Sequence, residues 1–155
     1  MSLKQELKLN GDFASLEQET LLSLTRTVSV IEPAFIALFN EAGVTSQQFN
    51  VLRILNGHKG DEGMPCSEIA SRMIHRDSDV TRLIDKLEKL GLAKRERPDY
   101  DRRKVLVSIT QVGKQLIKKI MPKVDKIERQ SVGHLKVDEL KNLILLLEKI
   151  REPYL

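Results

Sequence analysis

Three observations in the amino-acid sequence predict a mainly α fold. Apolar residues recur at helical spacing over most of the 155 residues, a polar break at Ile74-His75-Arg76-Asp77 separates two amphipathic segments, and a basic hairpin sequence follows from Leu92 to Ile109. In that order they describe a winged helix-turn-helix with a small β-hairpin wing, flanked by N- and C-terminal dimerisation helices. The second helix of such a unit enters a major groove of double-stranded DNA, and the hairpin reaches the phosphates beside it.

Composition narrows the alternatives. With 155 residues, 41% of them apolar, the chain can bury one core, so a single domain over residues 1–155 is expected. No uninterrupted run of about 18 apolar residues is present, and MSLKQELKLNGDF lacks the apolar stretch of a secretory signal, which predicts a cytoplasmic protein without a membrane span. Cys66 is the single cysteine and the three histidines are scattered, so neither an intramolecular disulfide nor a metal site is expected, and no cofactor is implied. The chain lacks a nucleophile–base pair, a phosphate-binding glycine loop and metal-ligand spacing, which argues against an enzyme. A net charge of +4 is compatible with a polyanionic partner, although its placement is more informative than its size.

The first long helix opens at Ser15, where Gln18 three residues later completes the form of a capping box, and Leu21, Leu22, Leu24, Val28, Ile31, Phe35, Leu38 and Phe39 recur at helical spacing. Pro33 removes one backbone donor and predicts a kink or a break. Gly43 ends this segment. Thr45 with Gln48 repeats the capping pattern for a second helix carrying Phe49, Val51, Leu52 and Leu55, which stops near Asn56 and Gly57. In the loop GHKGDEGMP, Met64 and Pro65 can form a short strand against the wing.

A third helix is expected from Ser67 to about Met73, with Ile69, Ala70 and Met73 inward and Pro65 where a side-chain cap would usually stand. On the helix after the turn, Val80, Leu83, Ile84, Leu87 and Leu90 share one arc at about 100° per residue, while Ser78, Thr81, Arg82, Asp85 and Lys89 occupy the other. Ser78, Asp79, Thr81 and Arg82 are therefore the candidate reading residues. Amphipathicity alone would also place polar groups there, and Asp79 has three readings: acceptor for a cytosine amino group, helix cap, or partner of an arginine. Gly91 closes the helix. Strands at Leu92–Arg97 and Val105–Ile109 then flank turn residues Pro98, Asp99, Tyr100 and Asp101. Between Leu92 and Lys104 six cations (Lys94, Arg95, Arg97, Arg102, Arg103, Lys104) face three anions, a balance suited to displacing counterions from a phosphate backbone.

From Thr110 a long helix runs through Leu116, Ile117, Ile120, Val124 and Ile127, interrupted by Pro122, and Asp138 opens a last one. Five consecutive apolar residues, Leu143 to Leu147, cover more than one face of it. A twofold partner would explain that arc, and Leu143, Ile144 and Leu147 are the candidate dimerisation residues.

The segment from Ser67 to Leu116 resembles the DNA-binding core of the MarR (multiple antibiotic resistance regulator) family. The likeness is carried by Glu68-Ile69-Ala70, Val80-Thr81-Arg82-Leu83, Leu87-Glu88-Lys89-Leu90-Gly91-Leu92, Asp101-Arg102-Arg103, Ile109-Thr110 and Gly113, and more loosely by Gly43-Val44-Thr45 and Gln48-Phe49. The resemblance implies a homodimer, with dimerisation helices at about 12–42 and 111–155 and a DNA-binding region at about 45–110. It further implies that Asp101 steadies Arg103 in a minor groove, where an arginine fork enters more readily than a lysine ammonium. Arg102 competes for that role, and Arg97 and Lys104 complete the basic wing.

The function expected is a sequence-specific regulator of transcription on an inverted-repeat operator, a homodimeric repressor released by a small, aromatic ligand. A protein-interaction module and a redox-responsive regulator using Cys66 are the alternatives. Some relatives sense oxidants through a cysteine, but in their first helix, whereas Cys66 precedes the third.

Overall fold

The computed structural model describes residues 2–58, 63–76, 78–98, 101 and 103–155. Its elements in chain order are α1 (Leu3–Glu6), α2 (Leu16–Glu41), α3 (Ser46–Asn56), β1 (Met64–Pro65), α4 (Cys66–Ser71), α5 (Val80–Lys89), β2 (Ala93–Glu96), β3 (Leu106–Ile109), α6 (Gln111–Val132) and α7 (Val137–Arg151), with a closing 3₁₀ turn at Glu152–Tyr154. A mainly helical chain with a small antiparallel sheet is the predicted class. The short α1 and the closing turn had no counterpart in the sequence pattern.

The helix starts follow their capping chemistry. Ser15 Oγ accepts from the Gln18 N–H at 3.2 Å and Gln18 Oε1 accepts from the Ala14 N–H at 2.8 Å. At α3 the box is complete, Thr45 Oγ1 and Gln48 Oε1 each accepting from the other residue's N–H, at 3.2 and 2.8 Å. Gly43, at φ +77°, makes the left-handed turn between the two helices. The expected disruptions at Pro33 and Pro122 are not found as breaks, since α2 and α6 each run through their proline. Both prolines are exposed, so water can serve the carbonyl that each leaves without an intrahelical donor. The third helix begins one residue earlier than predicted and ends two earlier, although Met73 beyond it is still buried.

The core surrounds α3. Val51 and Leu52 are fully buried against Ile69 of α4, Ile84 and Leu87 of α5, Val107 of β3 and Met64 of β1. On the other flank Phe39 stacks on Phe49 with ring centroids 4.3 Å apart, and Phe35 lies 6.2 Å from Phe39. Ile117, Ile120 and Val124 of α6 close that side.

The sheet is ordered β1-β3-β2 and antiparallel throughout, with Met64 opposite Val107, Ala93 opposite Ile109 and Glu96 opposite Leu106. The short strand predicted at Met64 and Pro65 is therefore present. At the base of the wing, Thr110 Oγ1 donates to the Gly91 carbonyl at 2.6 Å and the Thr110 N–H donates to the Leu92 carbonyl at 3.0 Å. Thr110 Oγ1 also accepts from the Gly113 N–H at 3.1 Å, capping α6. Gly113 is pressed against that junction, where an added Cβ would lie 2.3 Å from the Leu92 carbonyl oxygen and 2.7 Å from Ile109 Cγ1.

Outside the core, two long helices leave apolar surface uncovered within one chain. None of the 15 residues of α7 is buried, and Leu143, Ile144, Leu145, Leu146 and Ile150 are all exposed. On α2, Leu16, Leu21, Leu22, Val28, Val30 and Ile36 are likewise exposed. This 26-residue helix reaches a mean hydropathy of 1.5 and is long and apolar enough to cross a membrane by length and composition alone. The sequence criterion of an uninterrupted apolar run missed it because Thr, Ser, Arg26 and Glu32 are interspersed.

Gly113→Ala should destabilise the chain by about 1–3 kcal/mol, because the contact is with backbone that cannot rotate aside. Chemical denaturation of the two proteins measures the difference; an unchanged midpoint would show that the base of the wing can relax.

Candidate nucleic-acid interface

Helix α5 is capped by an aspartate and held by an arginine of the neighbouring strand. Asp79 caps α5, its Oδ1 accepting from the Arg82 N–H at 3.1 Å, and its Oδ2 lies 3.1 Å from Arg82 Nε. Of the three readings open for Asp79, capping and arginine pairing both describe this geometry. The Arg82 side chain is 83% exposed, so the ion pair is well solvated and contributes little to stability while leaving the guanidinium accessible.

Thr81 is exposed beside it. Ser78, predicted on the outward arc, instead precedes the helix and is half-buried, its Oγ enclosed and without a hydrogen-bond partner among the described residues. Asp77 lies outside the described residues.

Arg95 on β2 is the residue whose part the sequence did not reveal. One guanidinium nitrogen, Nη1, pairs with Asp85 Oδ1 at 2.6 Å and with Glu88 Oε2, while Nη2 reaches the Thr81 carbonyl at 3.3 Å. The Arg95 backbone N–H also donates to Glu88 Oε1 at 2.8 Å. Its side chain is 24% exposed. Burial alone disfavours the charged form, but hydrogen bonding to Asp85 and the charge of Glu88 outweigh that and hold its pKa above the usual arginine value. This arrangement fastens the wing to α5.

Two sequence expectations are corrected by it. Asp85 had been placed among the outward groups free to meet a partner, and Arg95 among the cations offered to phosphate. Each is committed to the other because strand alternation turns Arg95 toward α5. Lys94 is also paired, with Glu96 Oε1 at 2.5 Å. The signal that could have found the clamp is the Asp85, Glu88, Arg95 set, with two carboxylates three residues apart on a helix followed by an inward-facing strand position.

At the wing, Arg97 and Arg103 are exposed, and neither guanidinium has a partner among the described residues; Lys104 is exposed as well. Asp101 Oδ1 accepts from the Arg103 backbone N–H at 3.1 Å, and its carbonyl accepts from the Lys104 N–H at 3.1 Å. The carboxylate thus shapes the turn and leaves the Arg103 side chain available. Asp99, Tyr100 and Arg102 lie outside the described residues. Cys66 is the first residue of α4, half-buried against the core as a free thiol.

A cavity of about 230 Å³ lies where α2, α3 and α6 meet the turn before α5. Phe35, Phe39 and Phe49 form its apolar wall, with Asn50, Arg53 and His75 among the polar groups that complete it. Glu32 and Glu128 also line it. Arg53 has no ion-pair partner among the described residues. A second cavity of about 280 Å³, beside the sheet, has no aromatic ring other than that of His58 among the described residues that line it, and polar groups such as Lys94, Ser108 and Lys114 are prominent there.

Comparison with known proteins bears on this geometry. Residues 42–104 match the model of the MarR family. A MarR transcription factor from Planctomyces limnophilus, known from its crystal structure, is 38% identical, with 88% of this chain and 98% of that one aligned at a TM-score of 0.66. The transcriptional regulator FarR of Neisseria gonorrhoeae is 28% identical over 137 residues, which span 84% of this chain and 90% of FarR. BpsR of Bordetella bronchiseptica, whose DNA binding is regulated by 6-hydroxynicotinic acid, is 25% identical, with 90% and 97% of the two chains aligned and a TM-score of 0.75. The core around α3, the α4–α5 pair and the hairpin wing are thus those of a known group of DNA-binding proteins, and this chain belongs to the MarR family of transcriptional regulators.

Proposed function

We propose that this chain is a cytoplasmic, homodimeric repressor of a single domain, which reads an inverted-repeat operator and is released from it by a small aromatic ligand. The observation that carries the dimer is the uncovered apolar surface of α2 and α7. Water-exposed faces of that extent are unfavourable in a lone chain and favourable as a twofold interface. A second copy suits α2 better than a bilayer core, since Arg26 and Glu32 interrupt its length and Arg26 Nε is engaged by Glu6 Oε2 at 3.0 Å.

On DNA, Asp79 caps the reading helix, Thr81 and Arg82 face base edges, and Ser78 adjusts the helix start. Arg97, Arg103 and Lys104 meet the backbone and minor groove, Arg102 competes with Arg103 for the minor groove, and Asp101 fixes the turn. Leu143, Ile144 and Leu147 pack against the partner chain. A dimer seated in two successive major grooves excludes other proteins from that stretch, the simplest route to repression. The effector site is the aromatic cavity, where three phenylalanines offer ring contacts and Arg53 offers an attraction for an anion. The ligand-regulated DNA binding of BpsR supports this reading.

Leu143→Glu or Ile144→Glu should yield monomers or insoluble protein, as a buried charge without a partner is strongly unfavourable. Sedimentation of the unmodified chain at micromolar concentration should show a dimer; a monomer would remove the basis of the proposal.

Selection of DNA by the purified protein should return two half-sites about 34 Å apart in inverted repeat. On that duplex Arg103→Ala should weaken binding to nearly all sequences and lower the salt dependence by roughly one counterion. Arg82→Ala should instead relax preference at particular base pairs, by about 1–3 kcal/mol where a bidentate contact is lost. Equal losses on every sequence would make Arg82 a phosphate clamp.

Titration with hydroxylated aromatic acids such as 6-hydroxynicotinate and salicylate should weaken operator binding, and operator should weaken acid binding by the same factor. Identical acid affinities in free and DNA-bound protein would exclude release by these ligands.

A further inference from the structure

The aromatic cavity touches the reading unit through a hydrogen bond. Asn50 of α3 lines the cavity, and its Oδ1 accepts from the backbone N–H of Ile74 at 3.0 Å. Ile74 and His75, which also line the cavity, form the turn that leads to α5. The His75 carbonyl accepts from the Ser78 N–H at 3.3 Å, and Ser78 precedes Asp79, the cap of the reading helix. A short series of polar contacts therefore connects the cavity wall to the first turn of α5.

The orientation of the Asn50 amide follows from its partner. A backbone N–H can only donate, so the amide oxygen must face Ile74 and the Nδ2 group, with two donors, must face away. Among the described residues Nδ2 has no acceptor, and Asn50 is half-buried. Asn50 belongs to the cavity lining, so this donor is open to a ligand oxygen that enters, and Arg53 in the same lining offers a cation beside the carboxylates of Glu32 and Glu128. The terminal torsion of asparagine has a broad, shallow profile, and hydrogen bonds weaken steeply with misalignment. Drawing Nδ2 toward a ligand therefore loosens the bond to Ile74.

We propose that Asn50 is the positioning residue that couples the cavity to the reading helix, its amide holding the turn at Ile74 when the cavity is empty and shared with an acidic aromatic ligand when it is filled. The ligand half of this inference rests on the reading of the cavity as the effector site. The turn-holding half does not.

The test uses the full-length protein, its selected operator, and Asn50→Ala and Asn50→Asp. The aspartate keeps an oxygen for Ile74 but has no amide donor. Hydrogen exchange resolved by NMR should be faster at Ile74 in Asn50→Ala, with operator affinity reduced about fivefold, as loss of one hydrogen bond implies. Asn50→Asp should restore both. Salicylate should weaken operator binding by the unmodified protein and have at least several-fold less effect on Asn50→Asp. Unchanged exchange and affinity in Asn50→Ala, or no rescue by aspartate, would overturn the positioning role. If Asn50→Ala does not fold, Asn50→Ser, whose hydroxyl is too short to reach Ile74, takes its place with the same expectations. If neither salicylate nor 6-hydroxynicotinate affects the unmodified protein, the cavity reading and the ligand half fail together, while the exchange data separately decide whether Asn50 holds the turn.

Discussion

The structure depends on the burial of the apolar side of α3, which several other elements share. A helix of 11 residues has little stability of its own in water, and here Val51 and Leu52 are fully enclosed by elements from both halves of the chain. The Phe39–Phe49 stack joins it to α2, the α4 and α5 side chains cover its opposite flank, and β3 and α6 close the remainder. Because these contacts share one helix, α2, α6 and the α4–α5 pair are packed into one continuous core.

Electrostatics refine what packing assembles. Arg95 uses its charge internally, tying β2 to Asp85 and Glu88, whereas Arg82 and Arg103 keep theirs at the surface. The basic character of the wing thus divides into a structural part and a part open to solvent. A partly buried guanidinium with two carboxylates orders the interface between helix and hairpin before any nucleic acid arrives, so less conformational entropy is lost on binding.

Much of this was legible in the sequence, for identifiable reasons. The capping patterns at Ser15, where only the serine's half of the box forms, and at Thr45, where the box is complete, and the alternation in the hairpin are local signals, and each element they mark is present. The short β1 was readable from Met64-Pro65 because a third strand had a partner to join. Tertiary commitments were less accessible. The composition of the wing counted Arg95 and Lys94 as available cations, but their partners come from a neighbouring helix and from the same strand. Helical periodicity put Ser78 outward, yet Asp79 caps α5 and leaves Ser78 in the preceding turn, where helical phase no longer applies. The prolines at 33 and 122 signalled breaks that exposed backbone can avoid by bonding to water.

The junction at the base of the wing has a consequence for how such a protein changes over time. Thr110 bonds to both Gly91 and Leu92, so residues 92–109 form a loop whose two ends are stapled together, with Gly113 seated against the staple. The hairpin is in effect an excursion from a closed point. The direction in which α6 leaves the sheet is set below the staple, at Thr110 and Gly113. The hairpin sequence can therefore diverge between descendants while the packing of α6 against α3 is retained.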